Sequence, residues 1–253
     1  EAAKEYFTRY GEKKYYRKML SRLGKIYSEQ GKQELAVQTY RTLISESPYS
    51  SDNPNHQNAI IKAYWGRDQF DEANEEINKL VQVYGRTSRW AEENEENREA
   101  LKDSERVIEK NLRNLAVDSH QQALKRRSSK LLLLAEENYG RYLDYFPKGG
   151  KSYEIRYWYA EVLYKLKKYD VATGQYEKVV AMDSKGKFLK DAASNTVFSI
   201  EKYIKKKESS WKRADAKQRK KQLSEKDPLK KYAEIALRGW EQRLIDGCDT
   251  YAK

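Results

Sequence analysis

The sequence predicts an all-α chain of antiparallel helix pairs, on two observations. Gly and Pro together supply 16 of the 253 residues, roughly half their usual share. A β-sandwich or barrel needs many tight turns and a doubly wound sheet needs glycine loops, so those classes are excluded. The second observation is an alternation of small and aromatic residues at helical spacing that recurs after 37 residues. The aromatic content, 5 Trp, 5 Phe and 21 Tyr, supplies a core that a disordered chain would lack.

The first unit of the pattern reads Leu20, Leu23, Gly24, Tyr27, Gly31, Ala36, Tyr40, Leu43 and Pro48. Two helices approach closely only where one presents little bulk, here Gly24 and Ala36, to the bulk of the other, here Tyr27 and Tyr40. Pro48 stops the second helix. The same phase returns at Ile60, Ile61, Tyr64, Phe70, Ala73, Ile77 and Leu80, and again at Tyr159, Ala160, Leu163, Tyr169, Ala172, Tyr176 and Val179. A half-match lies at Ala135, Tyr139, Tyr142 and Pro147.

The marker residues Ala36, Ala73, Ala135 and Ala172 are 37, 62 and 37 apart, which leaves 25 extra residues in the middle. They fall between Ser88 and Lys130, a stretch with neither Gly nor Pro. A helix lengthened by that amount grows by roughly 37 Å, which predicts a long helix over 87–130 projecting from the stack. After Ala172 the pattern restarts at Phe188, Ala192, Ala193, Val197, Ile200 and Tyr203, turns Lys-rich, and closes with a helix from about Pro228 to Tyr251. The expected organisation is therefore repeats one and two over 1–86, the long helix over 87–130, repeats three and four over 131–186, and degenerate basic helices over 187–253. The helical start, Glu1 to Tyr16, and the pattern at the C-terminus suggest a segment of a longer array.

The residues from Leu20 to Pro48 resemble the tetratricopeptide repeat along its whole length, with Leu20 where Trp is usual. The runs Tyr139 to Pro147, Tyr157 to Tyr176 and Asp191 to Tyr203 are also similar to repeat-rich bacterial envelope proteins of the outer-membrane assembly and gliding-motility types. The family resemblance implies a right-handed superhelix whose first helices line a concave groove for a peptide or a partner helix. On this chain the lining phase falls on Ser21, Lys25 and Ser28, on Asn58, Lys62 and Trp65, and on Tyr157, Glu161 and Tyr164. The Lys and Asn pair that clamps a terminal carboxylate in chaperone-binding relatives is present only as Asn58 with Lys62, so that ligand is not implied. Trp65, Tyr157, Trp158 and Tyr164 are the aromatic candidates for partner contact; the alternative for each is packing between repeats. The envelope resemblance implies a periplasmic or outer-membrane-associated location, with the cytoplasm as the alternative.

Charge divides along the chain. The net charge is +12. From 201 to 231 there are 13 Lys or Arg against 5 acids, and from 92 to 109 there are 8 acids against 3 bases. The basic patch comprises Lys205, Lys206, Lys207, Lys212, Arg213, Arg219, Lys220 and Lys221. Opposite patches suit self-association or steering of a charged partner. The rival function is a basic helical-repeat module that binds RNA or another polyanion. Only Tyr203 and Trp211 interleave with the bases, so nucleic acid binding would be non-specific. Lys205 to Lys231 could also act as a polybasic patch on an anionic membrane, though it lacks an apolar insertion face.

No catalytic, metal or cofactor constellation is readable. His56 and His120 stand in different repeats without a metal-ligand spacing, and Gly149 with Gly150 serves as the turn after Pro147. Glu136 and Glu137 are adjacent and diverge by about 100° on a helix, so they cannot share a substrate. The longest strongly apolar run, Leu131 to Ala135, is far too short to span a bilayer. One cysteine, Cys248, cannot form an internal disulfide. The function expected is non-catalytic protein–protein interaction, as a scaffold within a bacterial envelope or motility complex.

Overall fold

In the computed structural model, which describes residues 13–149, 151–224 and 239–252, every described regular element is a helix. The expected start at Glu1 and the helix start near Pro228 lie outside the described residues. The chain forms two compact units, Glu1–Leu115 and Ala116–Lys253.

The first unit holds α1 (Lys13–Glu29), α2 (Gln33–Glu46), α3 (Asn53–Trp65), α4 (Phe70–Tyr84), the short α5 (Arg89–Glu93) and the first part of α6 (Arg98–Arg126). The second holds the rest of α6, α7 (Ser129–Tyr145), α8 (Ser152–Lys165), α9 (Tyr169–Met182), α10 (Leu189–Leu223) and α11 (Gly239–Ala252). From α1 to α5 and from α7 to α11 each helix packs on the next in chain order. Connections this short force neighbouring helices antiparallel. The result is an all-α fold of helix-pair repeats, as the tetratricopeptide resemblance implies.

The repeat extends to the turns between paired helices. Gly31, Asp68 and Lys167 all adopt the left-handed conformation, with φ of 73°, 58° and 59°. Each lies five residues before a marker alanine: Ala36, Ala73 or Ala172. The following amide reaches back in the same way every time: Lys32 to the Tyr27 carbonyl (2.9 Å), Gln69 to that of Tyr64 (3.1 Å) and Lys168 to that of Leu163 (2.9 Å). A left-handed residue closes the first helix and lets the chain reverse at once. Arg127 (φ 49°) and the bond from the Ser128 amide to the Ala123 carbonyl (3.0 Å) repeat this turn between α6 and α7. There the marker Ala135 comes one helical turn later than in the other pairs, which is why that repeat matches only in part.

The cores are built from the alternation. In the first unit Ala36, Tyr40, Leu43 and Ile60 are buried together, with Leu20, Tyr27 and Tyr64 packed on them. A Cβ on Gly24 would stand 2.9 Å from Cζ of Tyr40, so the ring lies on bare backbone. In the second unit Tyr157, Ala160, Leu163, Ala172, Tyr176, Val179, Phe188 and Ala192 form the core, and the Tyr157 and Phe188 rings stack at 4.2 Å. Each large apolar side chain buried in this way contributes about 2 to 3 kcal/mol.

The expected projecting helix over 87–130 is corrected on two counts. The segment breaks between Glu93 and Arg98, where Trp90 is buried and its indole N–H donates to the Ser50 carbonyl (2.9 Å). The 29-residue α6 that follows is not a bare arm, because one of its faces is buried. Ser104, Ile108, Asn111, Leu112, Leu115, Ala116, Ser119, His120 and Ala123 bury one face over almost its whole length. In the 35-residue α10 the last buried residue among those described is Ile200, with 23 residues still to follow. Total length, without a face count, misled the expectation.

Thermal melting tests this packing. Ala36→Leu and Ala172→Leu are each expected to cost about 1 to 3 kcal/mol by overpacking. Gly31→Ala is expected to cost about 1 to 2 kcal/mol through its backbone conformation alone, since a Cβ there meets nothing within 4 Å. Unchanged melting of both leucine variants would contradict the repeat assignment.

Candidate protein-interaction surface

In the first unit the expected lining residues stand on α1 and α3, and only some are available. Lys25 is exposed and loosely paired with Glu29 at 3.8 Å. The Ser28 hydroxyl donates to the Gly24 carbonyl one turn back (3.1 Å). Lys62 is exposed, and Trp65 is half-buried with its ring edge-on to Phe70 at 4.7 Å. Asn58 is drawn into the structure, because its Oδ1 accepts from Nδ2 of Asn111 on α6 at 2.9 Å. That leaves Lys25, Lys62 and the open face of Trp65 free to meet a partner.

In the second unit the expectation is corrected at two positions. Tyr157 is 8% exposed and lies in the core against Phe188; burial, with Glu161 and Asp191 nearby, pushes its hydroxyl up to about 12. Glu161 is bound within the fold, accepting from the Tyr176 hydroxyl (2.6 Å) and from Nδ2 of Asn195 (2.8 Å). Tyr164 remains half-exposed and edge-on to Tyr169 at 5.3 Å. Trp158 is half-buried and packs edge-on against His120, Tyr157 and Phe188. The helical spacing that nominated Tyr157 and Glu161 is shared by both sides of a helix interface, so spacing could not tell groove from core.

A cleft of about 450 Å³ between α2 and α3 was not anticipated from the sequence. Val37, Ala63 and Tyr64 supply apolar lining, with Arg41, Arg67 and Thr42 among the polar residues around them. Arg41 is held in place: its Nη2 donates to Oε1 of Glu76 (2.9 Å) and to the Tyr64 hydroxyl (3.3 Å). Glu76 is 4% exposed and also accepts from Nζ of Lys79 (2.8 Å) and Nε2 of Gln57 (2.6 Å). Burial alone would raise its pKa, but the hydrogen bonds from Lys79 and Gln57 and the charges of Lys79 and Arg41 outweigh it and hold the carboxyl below its usual range. Arg67 pairs with Glu34 across the mouth at 3.4 Å, an exposed contact that contributes little to stability. Spacing along α2 at 34, 37, 38, 41, 42 and 45 marks this face in retrospect, but its members are neither uniformly polar nor uniformly apolar.

The basic-patch residues Lys205, Lys206, Lys207, Lys212, Arg213, Arg219, Lys220 and Lys221 are all exposed on the distal half of α10. Tyr203 and Trp211, the two aromatics interleaved with them, turn toward each other (6.2 Å), and Tyr203 is covered by Trp240 of α11 at 4.2 Å. Arg243 of α11 binds Glu177 of α9 through two nitrogens and lies over Trp240. These contacts dock α11 and remove the aromatics from use as a base-stacking platform.

The two histidines sit in packing positions. His56 stacks on Tyr40 at 5.6 Å, and burial, with Lys165 nearby, holds His120 down at about 4. Among the described residues no group of three or more His, Cys, Asp or Glu could hold a metal ion, and no helix is long and apolar enough to cross a membrane.

No protein-family model matches the sequence, and no curated protein is significantly similar to it. Solved structures similar in fold include the MamA protein, at 14% identity and a TM-score of 0.39 over 88% of this chain and 98% of that one. They also include the nearly identical TPR-like repeats of a Podosopora anserina putative kinesin light chain, at 15% identity and a TM-score of 0.39 over 82% of this chain and 97% of that one. The helix-pair assignment rests on the turns and cores of this chain and not on these likenesses.

The Glu76 network makes stability depend on pH. A carboxyl whose folded pKa is depressed adds stability above its unfolded pKa, and that stability is lost as pH falls through the folded value. Glu76→Gln is expected to cost about 1 to 3 kcal/mol at neutral pH and to flatten the acid limb of a stability profile measured by denaturant unfolding. An unchanged acid limb would contradict the role given to the network.

Proposed function

We propose that this chain is a non-catalytic protein–protein interaction scaffold that receives a peptide segment or a helix of its partner on the first unit. The observation that supports this most directly is a separation of roles. Ala36, Tyr40, Leu43 and Ile60 hold the helix pairs together, while Lys25, Lys62, Trp65 and the α2–α3 cleft with its fixed Arg41 remain open to solvent. A partly exposed indole offers large contact area with few rotatable bonds, and a pre-positioned guanidinium grips a carboxylate or backbone carbonyl without further ordering. Both are anchored by the fold, Trp65 against Phe70 and Arg41 on Glu76, and both keep surface that the fold does not cover.

Within this reading the partners belong to a bacterial envelope or motility complex, at the periplasmic side or the outer membrane. That narrower part is supported by the resemblance of the 139–203 sequence alone. Fractionation of cells producing the chain, with recovery in the envelope fraction expected and recovery in the cytosol contradicting it, tests this part separately.

A photo-crosslinking amino acid placed at Lys62 is expected to give discrete protein adducts in a native lysate, while the same group at the exposed Lys110 of α6 gives none. Trp65→Ala is expected to weaken adduct formation at Lys62 by at least ~1 kcal/mol with helicity unchanged. Equal adducts from both positions, or loss of helical circular dichroism in the Trp65 variant, would move Trp65 from the contact surface to the core.

A further inference from the structure

Three helices of the first unit recur in the second. Adding 99 to a residue number takes α2, α3 and α4 to α7, α8 and α9, and the buried positions agree: Ala36 with Ala135, Tyr40 with Tyr139, Leu43 with Tyr142 and Ala73 with Ala172. Pro48 and Pro147 follow the first helix of each set. The residues that packing requires are thus kept in kind.

The charged residues of the α2–α3 cleft are not kept. Where the first unit has Glu34, Arg41, Arg67 and Glu76, the second has Leu133, Gly140, Leu166 and Gln175. The link between the second and third helices survives the change: Gln57 donates to Glu76 at 2.6 Å, and Arg156 donates to Gln175 at 2.7 Å. The same three helices therefore pack in the second unit with neither guanidinium of the cleft and neither of the acids that hold them.

These charges leave the cleft positive. Glu76 is met by two cations, Arg41 and Lys79, both at Oε1, so one positive charge is left over. Both bonds of Arg41 within the fold are made by Nη2, and 54% of its side chain is exposed, which leaves Nη1 and Nε to donate. Arg67 meets Glu34 at 3.4 Å, and 85% of the Glu34 side chain is exposed. An ion pair so exposed is worth little and gives way readily to another carboxylate. Val37, Ala63 and Tyr64 set apolar surface beside the two guanidinium groups.

We propose, on the reading that the first unit receives a partner segment, that the cleft takes an acidic side chain of that segment. Its carboxylate is bound by Arg41 and Arg67, Glu34 is displaced, and a neighbouring apolar side chain lies on Val37, Ala63 and Tyr64. Each guanidinium presents parallel N–H donors that match the two oxygens of a carboxylate. Glu34 already shows this chemistry on Arg67. At about 450 Å³ the cleft is in the size range that encloses a small ligand.

The test pans a phage-displayed library of random dodecapeptides on the full chain and measures the enriched sequences, as fluorescein-labelled peptides, by fluorescence polarisation. They are expected to share an Asp or Glu next to an apolar residue and to bind more weakly as salt shortens the screening length. R41M is expected to weaken binding by about tenfold, through loss of a charge-assisted hydrogen bond, and R67Q by about threefold. E34Q removes the resident carboxylate and is expected to tighten binding by about twofold, a gain that a purely structural role for Glu34 would not give. K206Q/K217Q, which removes charge from exposed positions of α10, is expected to stay near wild type. Circular dichroism checks the fold of each variant, and R67Q and E34Q alter exposed side chains, so they decide the matter should R41M fail to fold. Enriched peptides without an acid, no enrichment, binding unchanged in R67Q, binding no tighter in E34Q, or an equal loss in K206Q/K217Q would each overturn the proposal. Any of these results with the Lys62 adducts intact removes the carboxylate site alone, whereas absence of those adducts removes the reading beneath it.

Discussion

An aromatic ring resting on a residue that has no bulk is the contact from which the rest of this structure follows. Tyr40 lies where a side chain on Gly24 would have to be, and the marker alanines 36, 73, 135 and 172 are all fully or almost fully buried. Close approach of this kind fixes which faces of two helices meet, and the left-handed turn at Gly31, Asp68, Lys167 and Arg127 fixes how quickly the chain reverses. Once pairing and reversal are set, each new pair presents the same face to the next, and the fold grows by repetition.

Polar side chains then fasten the connections between pairs, where backbone groups would otherwise lack partners. Asn53 donates to the carbonyls of Ser47 and Pro48 at 2.7 and 2.9 Å. Trp90 and Asn94, which follow α4 in the chain, donate to the carbonyls of Ser50 and Tyr49 in the same connection. Glu76 does comparable work between helices, binding Gln57 of α3, Arg41 of α2 and Lys79 of its own helix. Its charge is tolerated in a buried position because it is met by hydrogen bonds and by two cations. A by-product is that Arg41 stands at the α2–α3 cleft in a fixed orientation.

Most of the fold was legible in the sequence, because small–large alternation is written in residue types and survives without knowledge of the third dimension. The three-residue reversals at Gly31, Asp68 and Lys167 were legible only at Gly31, since Asp and Lys do not announce a left-handed conformation. The course of residues 87–130 was misjudged because a helix of unusual length was equated with an exposed one, whereas buried Ser104, Asn111, Ser119 and His120 make a face that hydropathy does not reveal. The candidate surface was less legible than the fold. Lys25 and Lys62 are exposed and Trp65 is half-buried, but Tyr157 and Glu161 share their helical phase and turn inward, and the cleft at Arg41 depends on a partner 35 residues away. Recognition positions on a repeat are defined by what the neighbouring repeat leaves uncovered, and that is a property of packing.

The most direct test of the account is an affinity capture from native lysate with this chain as bait, in the presence and absence of nuclease and at two salt concentrations, read by mass spectrometry. The account predicts a small set of protein partners that persists through nuclease and moderate salt. Recovery that disappears with nuclease would contradict it and assign the chain to polyanion binding instead.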